Sequence, residues 1–275
     1  MGLSTYPTLR EIRETHAWKR EYEMYLPLSR YVFRPAGFLL TWLAIRIGLT
    51  SEAVSWLSGF VALLGCLCLL CSQQQLLPIG IGLLVLFNLL DCVDGSIART
   101  MKTANSYGRY LDSIMAWVDM GFWALMGIMA FRHPTLLVFP VPMGYSPIFW
   151  LAVGGLACYF FNLLSYIERT FDQYIRGELE SIKSNRKTGP EDTPKDGETE
   201  KYSHKREKFI FLRRIISRIN HNVRVRETHY FLLILAYYCK VIDLFLIFYL
   251  FYYFLHIILL VIIYSNRGRK LRKSY

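Results

Sequence analysis

Several apolar runs, each about as long as a bilayer's hydrocarbon core is thick, limit how this chain can fold. An apolar helix of about 20 residues is enough to cross that core. The last run is too long for one crossing at about 1.5 Å per residue, so we divide it near Lys240–Asp243 into two spans, the first rather short. The predicted spans are residues 53–71, 76–99, 108–131, 147–166 and the two parts of 228–265. The sequence therefore predicts an all-α integral membrane protein with six transmembrane helices.

The polar segments complete the predicted organisation. From Arg30 to Thr50 the apolar residues are interrupted by Arg34 and Arg46, a pattern typical of an amphipathic helix lying in the membrane interface. Residues 183–208 have hardly any apolar side chains, and we expect them to be disordered. The predicted regions are 1–50, a cytoplasmic arm with the interfacial helix; 51–167, four spans; 168–227, a basic cytoplasmic loop; and 228–275, two spans and a basic tail.

Charge predicts the orientation of these spans. The 275 residues are 53% hydrophobic and carry a formal charge of +11, a combination rare in soluble proteins but usual in membrane proteins with basic cytoplasmic loops. With six spans and the N-terminus inside, all but Arg132 and Lys240 of the 32 Lys and Arg residues fall on the cytoplasmic side. We therefore expect both termini in the cytoplasm. The six cysteines all lie in apolar runs, so we expect no disulfide framework.

Three carboxylates stand at the ends of two neighbouring spans. Asp91 and Asp94 lie near the end of the second span, and Asp112 lies near the start of the third. Ionised carboxylates within a membrane are costly unless they face a polar cavity, a partner or a metal ion. A cluster of three suits a hard divalent cation, Mg²⁺ or Mn²⁺, and with it phosphate chemistry facing the cytoplasm. Alternatively, the acids could pair with Arg99 and Arg109 to hold helices together, but that would not explain the small residues between them.

The same stretch resembles the signature of the CDP-alcohol phosphatidyltransferases, D-x2-D-G-x2-A-R-x8-G-x3-D-x3-D. Seven of its eight fixed positions match, and the eighth, the family's last Asp, is Ala116 in this chain. The matching residues are Asp91, Asp94, Gly95, Ala98, Arg99, Gly108 and Asp112.

The resemblance implies an activity and a site. In the family, a CDP-linked donor binds with its pyrophosphate on one or more metal ions, an alcohol attacks the phosphoryl group, and CMP leaves. The metal ligands in this chain would be Asp91, Asp94 and Asp112. The nucleotide would be bordered by Asp91, Asp94, Gly95, Ala98, Arg99 and Gly108. Further candidates, for an acceptor or lipid phosphate, are Arg109, Arg169 and Arg176, the last two of which also fit the role of ordinary basic residues at a membrane surface.

The implied partners are a CDP-linked lipid donor, a small alcohol acceptor and the membrane lipids, with no nucleic acid. Carboxylates embedded in the membrane favour CDP-diacylglycerol as donor, and a CDP-aminoalcohol with a lipid acceptor is the alternative. The family resemblance also allows a homodimer.

The alanine at position 116 lowers the turnover we expect more than it lowers the binding we expect. The family's last Asp usually contributes to the metal site and is proposed to deprotonate the alcohol, which alanine cannot do. The remaining base candidates are Asp112 and Asp119, although on a regular helix Asp119 would lie roughly 4.5 Å beyond the missing carboxylate. Three interpretations stay open: an engineered inactive variant, a natural branch that uses another base, and a natural protein that binds without turnover.

Two other functional classes compete with a transferase. Acids within a membrane also mark ion paths in transporters and channels, but here they gather near one boundary rather than along a path across the bilayer. The other class is a non-catalytic protein that binds CDP-lipids or a protein partner, an interpretation motivated by Ala116.

Overall fold

The structure, a computed structural model, describes residues 6–19, 23–139, 148–178, 181 and 215–272, with side chains up to residue 269. These ranges are helical apart from short connections and contain no strand. The prediction of disorder for 183–208 lies outside the described residues. The main helices are α1 (Leu9–Thr15), α2 (Arg34–Arg46), α3 (Ser51–Leu70), α4 (Leu77–Thr100), α5 (Ser106–Met115), α6 (Val118–Arg132), α7 (Ile148–Phe171), α8 (215–224), α9 (Arg226–Cys239) and α10 (Ile242–Arg272).

The predicted membrane fold is confirmed in class, with five rather than six helices long and apolar enough to cross a bilayer among the described residues. The predicted division near Lys240 is present, since Lys240 adopts a left-handed backbone (φ 57°) between α9 and α10. With 14 residues, however, α9 extends about 21 Å, less than the roughly 30 Å of a hydrocarbon core. The five segments are Ser51–Leu70, Gln74–Thr100, Ser106–Arg132 (α5 and α6 counted together), Ile148–Arg176 and Ile242–Arg269.

The third predicted span is interrupted at Ala116. There α5 ends, Trp117 N–H donates to the Ile114 carbonyl (3.0 Å), and Asp119 N–H donates to the Ala116 carbonyl (3.1 Å). These bonds link residues three apart, as in a 3₁₀-helix, where such residues lie almost directly above one another. Asp119 and Ala116 would share a face even on a regular α-helix, and this tighter turn brings the two residues more nearly into line.

Side-chain caps begin both helices that approach the motif from the polar side. Ala53 N–H donates to Thr50 Oγ1 (3.1 Å) at the start of α3. Gly108 N–H donates to Asn105 Oδ1 (2.7 Å) at the start of α5. Such oxygens satisfy N–H groups that a helix leaves without partners in its first turn. The caps therefore fix where each helix begins. Both starts lie near the C-terminal half of α4.

The core lies among α3, α4, α6, α7, α9 and α10, around the fully buried Trp123. Tyr249 and Tyr253 of α10 pack on its rings at centroid distances of 4.4 and 5.5 Å. Where α6 crosses α7, a Cβ added to Gly127 would lie 2.8 Å from the Gly154 Cα, so both positions require glycine. All six cysteines are free, as the apolar surroundings predicted.

Candidate active site

One cavity brings together the whole matched motif. It has a volume of about 780 Å³ and lies between the start of α3, the C-terminal half of α4 and the start of α5. We call it the motif cavity. Its walls include Asp91, Asp94, Gly95, Ala98, Arg99, Gly108 and Asp112. The spacing in the sequence therefore corresponds to proximity in space.

Asp94 is the most enclosed carboxylate of the cavity wall, with 4% of its surface exposed. Its Oδ2 accepts a short hydrogen bond from Ser55 Oγ, and its Oδ1 accepts one from the following Gly95 N–H. Ser51 Oγ donates to the Asp94 backbone carbonyl (2.9 Å). Because Ser51 and Ser55 are one turn apart on α3, that helix holds Asp94 in a single orientation.

Gly95 makes room for the motif arginine. A Cβ at this position would lie 3.1 Å from Arg99 Nη2, so the Arg99 guanidinium folds back against α4 at the point where a side chain is missing. Arg99 Nε donates to Nε2 of His16 (3.0 Å), a buried histidine that directly follows α1. The N-terminal arm thus orients a motif residue.

Asp91 faces a cation that sequence reasoning missed. Its Oδ2 accepts from Arg226 Nη1 (2.9 Å), while Arg226 Nη2 and Nε donate to Asp119 Oδ2 (2.7 and 3.0 Å). The guanidinium carbon lies 4.9 Å from the centre of the Phe87 ring. Arg226 therefore joins α4, α6 and the start of α9 in one ion-pair cluster.

The arginines predicted to bind phosphate separate into two groups. Arg109 lies on the cavity wall, as does Arg34, which the sequence did not single out. Arg169 and Arg176 do not line the cavity, and Arg176 pairs with Asp172 (2.7 Å) on the exposed side of its own helix. The structure thus does not bring Arg169 or Arg176 to the motif. Asp119 also lies outside the cavity wall, engaged by Arg226.

The oxygen donors of the cavity have the chemistry for a divalent cation. Asp91, Asp94 and Asp112 line one space, and Asp112 is exposed to it. Hard carboxylate oxygens are the ligands that Mg²⁺ and Mn²⁺ prefer. Among the described residues, however, no three acidic, histidine or cysteine side chains converge closely enough to hold a metal. The donor set fits the ion in type, and the shared metal site stays a prediction.

The matched motif lies within a longer stretch that is similar to a known family. Residues 48–169 match the family described as CDP-alcohol phosphatidyltransferase. They form a CDP-alcohol phosphatidyltransferase domain. A comparison with curated proteins gave no match.

The boundaries of the phosphatidyltransferase domain divide the site. The domain contains α3 to α6, most of α7 and all seven matched residues. Outside the domain, Arg34 lines the motif cavity. His16 and Arg226 do not line it but contact two residues that do, Arg99 and Asp91. Charge alone could not identify Arg226, because it lies in a run with several other basic residues. His16 follows a helix that begins at a Thr8–Glu11 capping box, a pattern that predicts the helix but not the contact with Arg99.

Proposed function

We propose that this protein is a membrane phosphotransferase that transfers a substituted phosphate from a CDP-linked donor to an alcohol, releasing CMP. The observation that carries the proposal is the convergence of all seven matched residues on one cavity of about 780 Å³. That volume lies within the roughly 300–1,000 Å³ typical of small-molecule sites. The family domain supports phosphotransferase chemistry in general, and the donor, acceptor and metal are our extension.

The charge of the cavity supports an anionic ligand held with a cation. Arg34, Arg99 and Arg109 line the walls together with the three motif carboxylates. A diphosphate would be attracted by the guanidinium groups, which bind phosphate oxygens through paired N–H donors. Mg²⁺ or Mn²⁺ held by Asp91, Asp94 and Asp112 would neutralise the remaining phosphate charge. We favour CDP-diacylglycerol as donor because the carboxylates lie at the ends of helices long and apolar enough to span a membrane. The proposal includes a site and both termini on the cytoplasmic side, as the basic loops predict.

In the proposed reaction, the alcohol oxygen bonds to the phosphorus that carries the lipid, and the bond from that phosphorus to the bridging oxygen breaks. The bridging oxygen leaves with CMP, and the alcohol loses its proton. Of the two base candidates, Asp112 is favoured, because it lies on the cavity wall whereas Asp119 is hydrogen-bonded to Arg226. The chain's own residues thus bind the donor, orient it and accept the proton.

A second function is favoured by Ala116. Its methyl group stands at the end of α5 where the family has its last carboxylate, so neither a metal ligand nor a base is supplied there. A family member that binds CDP-lipid without efficient turnover is the alternative.

Purified protein in lipid nanodiscs tests the proposal directly. CDP-diacylglycerol and CDP-aminoalcohols are each offered with a panel of alcohols, and CMP release is measured with and without Mg²⁺ or Mn²⁺. We expect metal-dependent CMP release from CDP-diacylglycerol, lost in Asp94→Asn. Metal-dependent donor binding without CMP release would favour the binding protein. No metal-dependent binding of any CDP donor would refute both functions.

A further inference from the structure

The Arg226 guanidinium bridges carboxylates from two different helices. It donates to Asp91 of α4 and to Asp119 of α6 over 2.7–3.0 Å, and the three side chains are 18%, 22% and 30% exposed. Two carboxylates this close, partly removed from water, repel one another unless a cation lies between them. Arg226 supplies that cation from the chain itself.

Arg226 lies directly beside the motif. Asp91 belongs both to the cavity wall and to the Arg226 cluster, so the guanidinium reaches the edge of the proposed metal site. The Asp119 N–H donates to the Ala116 carbonyl (3.1 Å) at the break between α5 and α6. The acid that pairs with Arg226 thus lies one 3₁₀ turn from the position where the motif lacks its last carboxylate.

Arg226 is fixed in this position. The ring of Phe87 covers one face of the guanidinium, an arrangement that favours a cation electrostatically and excludes water from that face. Arg226 is also the first residue of α9, directly after the bend at Val225. Because the guanidinium is part of the chain, it does not dissociate as a bound metal ion can.

From these contacts we infer that Arg226 is a resident cation that takes the place of a divalent ion between Asp91 and Asp119, and that it limits the cavity to one exchangeable divalent cation. The inference deepens the proposed function, because it assumes that the motif carboxylates bind metal. Sites for phosphate chemistry often use two metal ions a few ångströms apart. Here one of the two positive charges belongs to the polypeptide.

The test counts Mn²⁺ bound per chain by electron paramagnetic resonance, with protein in nanodiscs and Mn²⁺ as the only added ligand. Arg226→Gln removes the charge but retains an amide that can donate to Asp91 or Asp119. Arg226→Lys keeps the charge. Arg224→Gln is the matched control, because Arg224 lies two residues away and pairs with Glu168 outside the cavity.

We expect Arg226→Gln to bind one more Mn²⁺ per chain than the wild type, while Arg226→Lys and Arg224→Gln bind the same number as the wild type. Adding Asp119→Asn to Arg226→Gln should remove the extra ion, because it deletes one of the two freed ligands. An unchanged Mn²⁺ count in folded Arg226→Gln would overturn the inference, and so would an equal gain in Arg224→Gln.

Failure of the proposed function gives a different result. CMP release from CDP-diacylglycerol is measured on the same samples. A wild type that releases CMP with Mn²⁺, together with an unchanged count in Arg226→Gln, contradicts the resident cation alone. An extra Mn²⁺ in Arg226→Gln without CMP release in any form supports the resident cation and contradicts the transferase. If Arg226→Gln does not fold, bound Mn²⁺ is counted in Arg226→Met instead, where one extra ion supports the resident cation and an unchanged number contradicts it.

Discussion

Two arginines on either side of Val225 meet acids in different ways. Arg224 forms a paired interaction with one carboxylate, Glu168 of α7, through Nη1 (2.7 Å) and Nη2 (2.5 Å). Arg226 divides its donors between Asp91 and Asp119 on two helices. Burial alone would lower the pKa of Arg224, but its hydrogen bonds and ion pair with Glu168 raise it above its ordinary value. The Arg224–Glu168 pair involves no residue of the motif cavity, whereas the Arg226 cluster includes Asp91 of the cavity wall.

The surroundings extend this contrast. Near Arg224, Tyr249 donates to the Val223 carbonyl (3.1 Å) and Tyr252 donates to Asn220 Oδ1 (2.6 Å), so the helix before the bend is bound to α10 by polar contacts. Near Arg226 lies a large cavity with exposed Asp112. Residues of the same type thus serve to dock a helix in one place and to adjust the charge of a site in the other.

Ala116→Asp should have the largest effect on the cavity. A carboxylate at 116 is one turn from Asp112, and a positioned base is commonly worth about 10²–10⁴-fold in rate, so CMP release should rise by that factor in an inactivated enzyme. The C-terminal end of α5 disfavours a negative charge at position 116, and the N-terminal end of α6 favours it, so the two helix dipoles oppose one another there. Ala116→Asn is the uncharged control. A wild type that already turns over well and gains nothing from Ala116→Asp would indicate that this chain uses another base.

Asp112→Asn should act in the opposite direction. Asp112 lies on the cavity wall and is the proposed metal ligand and base. Replacing its carboxylate with an amide should therefore lower CMP release by about 10²-fold or more without changing the unfolding temperature. The control is Asp172→Asn, since Asp172 is an exposed acid outside the cavity. Equal activity of the two variants would remove Asp112 from the chemistry.

Arg224→Met should weaken the fold and leave the chemistry. Glu168 would lose its cation in a half-buried environment, at a cost of about 1–3 kcal/mol. We expect a lower unfolding temperature in detergent but the same CMP release per folded molecule. Arg218→Met, on the same helix with its guanidinium over Tyr25, should cost less. If Arg224→Met instead reduced turnover of folded protein, the two arginines would not differ as the contacts indicate.

His16→Leu should have the smallest effect. It removes the acceptor that orients Arg99, and a hydrogen bond to a charged group contributes about 1.5–3 kcal/mol, so KM for the CDP donor should rise roughly tenfold. His16→Gln retains an acceptor and should restore much of the affinity. A change in kcat with constant KM would argue against a role in donor binding.

Sequence reasoning located the motif because its residues are close along two adjacent helices. Fixed gaps between Asp91, Gly95, Arg99 and Asp112 require only local geometry, and the cavity confirms their proximity. Arg226 could not be found this way, since it is 135 residues from Asp91 and its contact depends on how α9 packs against α4. The break at Ala116 was missed for a different reason: residues 108–131 are apolar enough to predict one uninterrupted helix.

The tight crossing of Gly127 and Gly154 has a mechanical consequence. It lies toward the end of the bundle away from the motif, where His133 Nε2 also contacts the Cys71 carbonyl (3.3 Å) and Asp243 accepts from Val138 and Phe139 N–H. Backbones in direct contact leave no compliant side chains between them, so that end of the bundle is stiff. Amide hydrogen exchange should therefore be slowest around Gly127 and Gly154 and faster around the motif cavity.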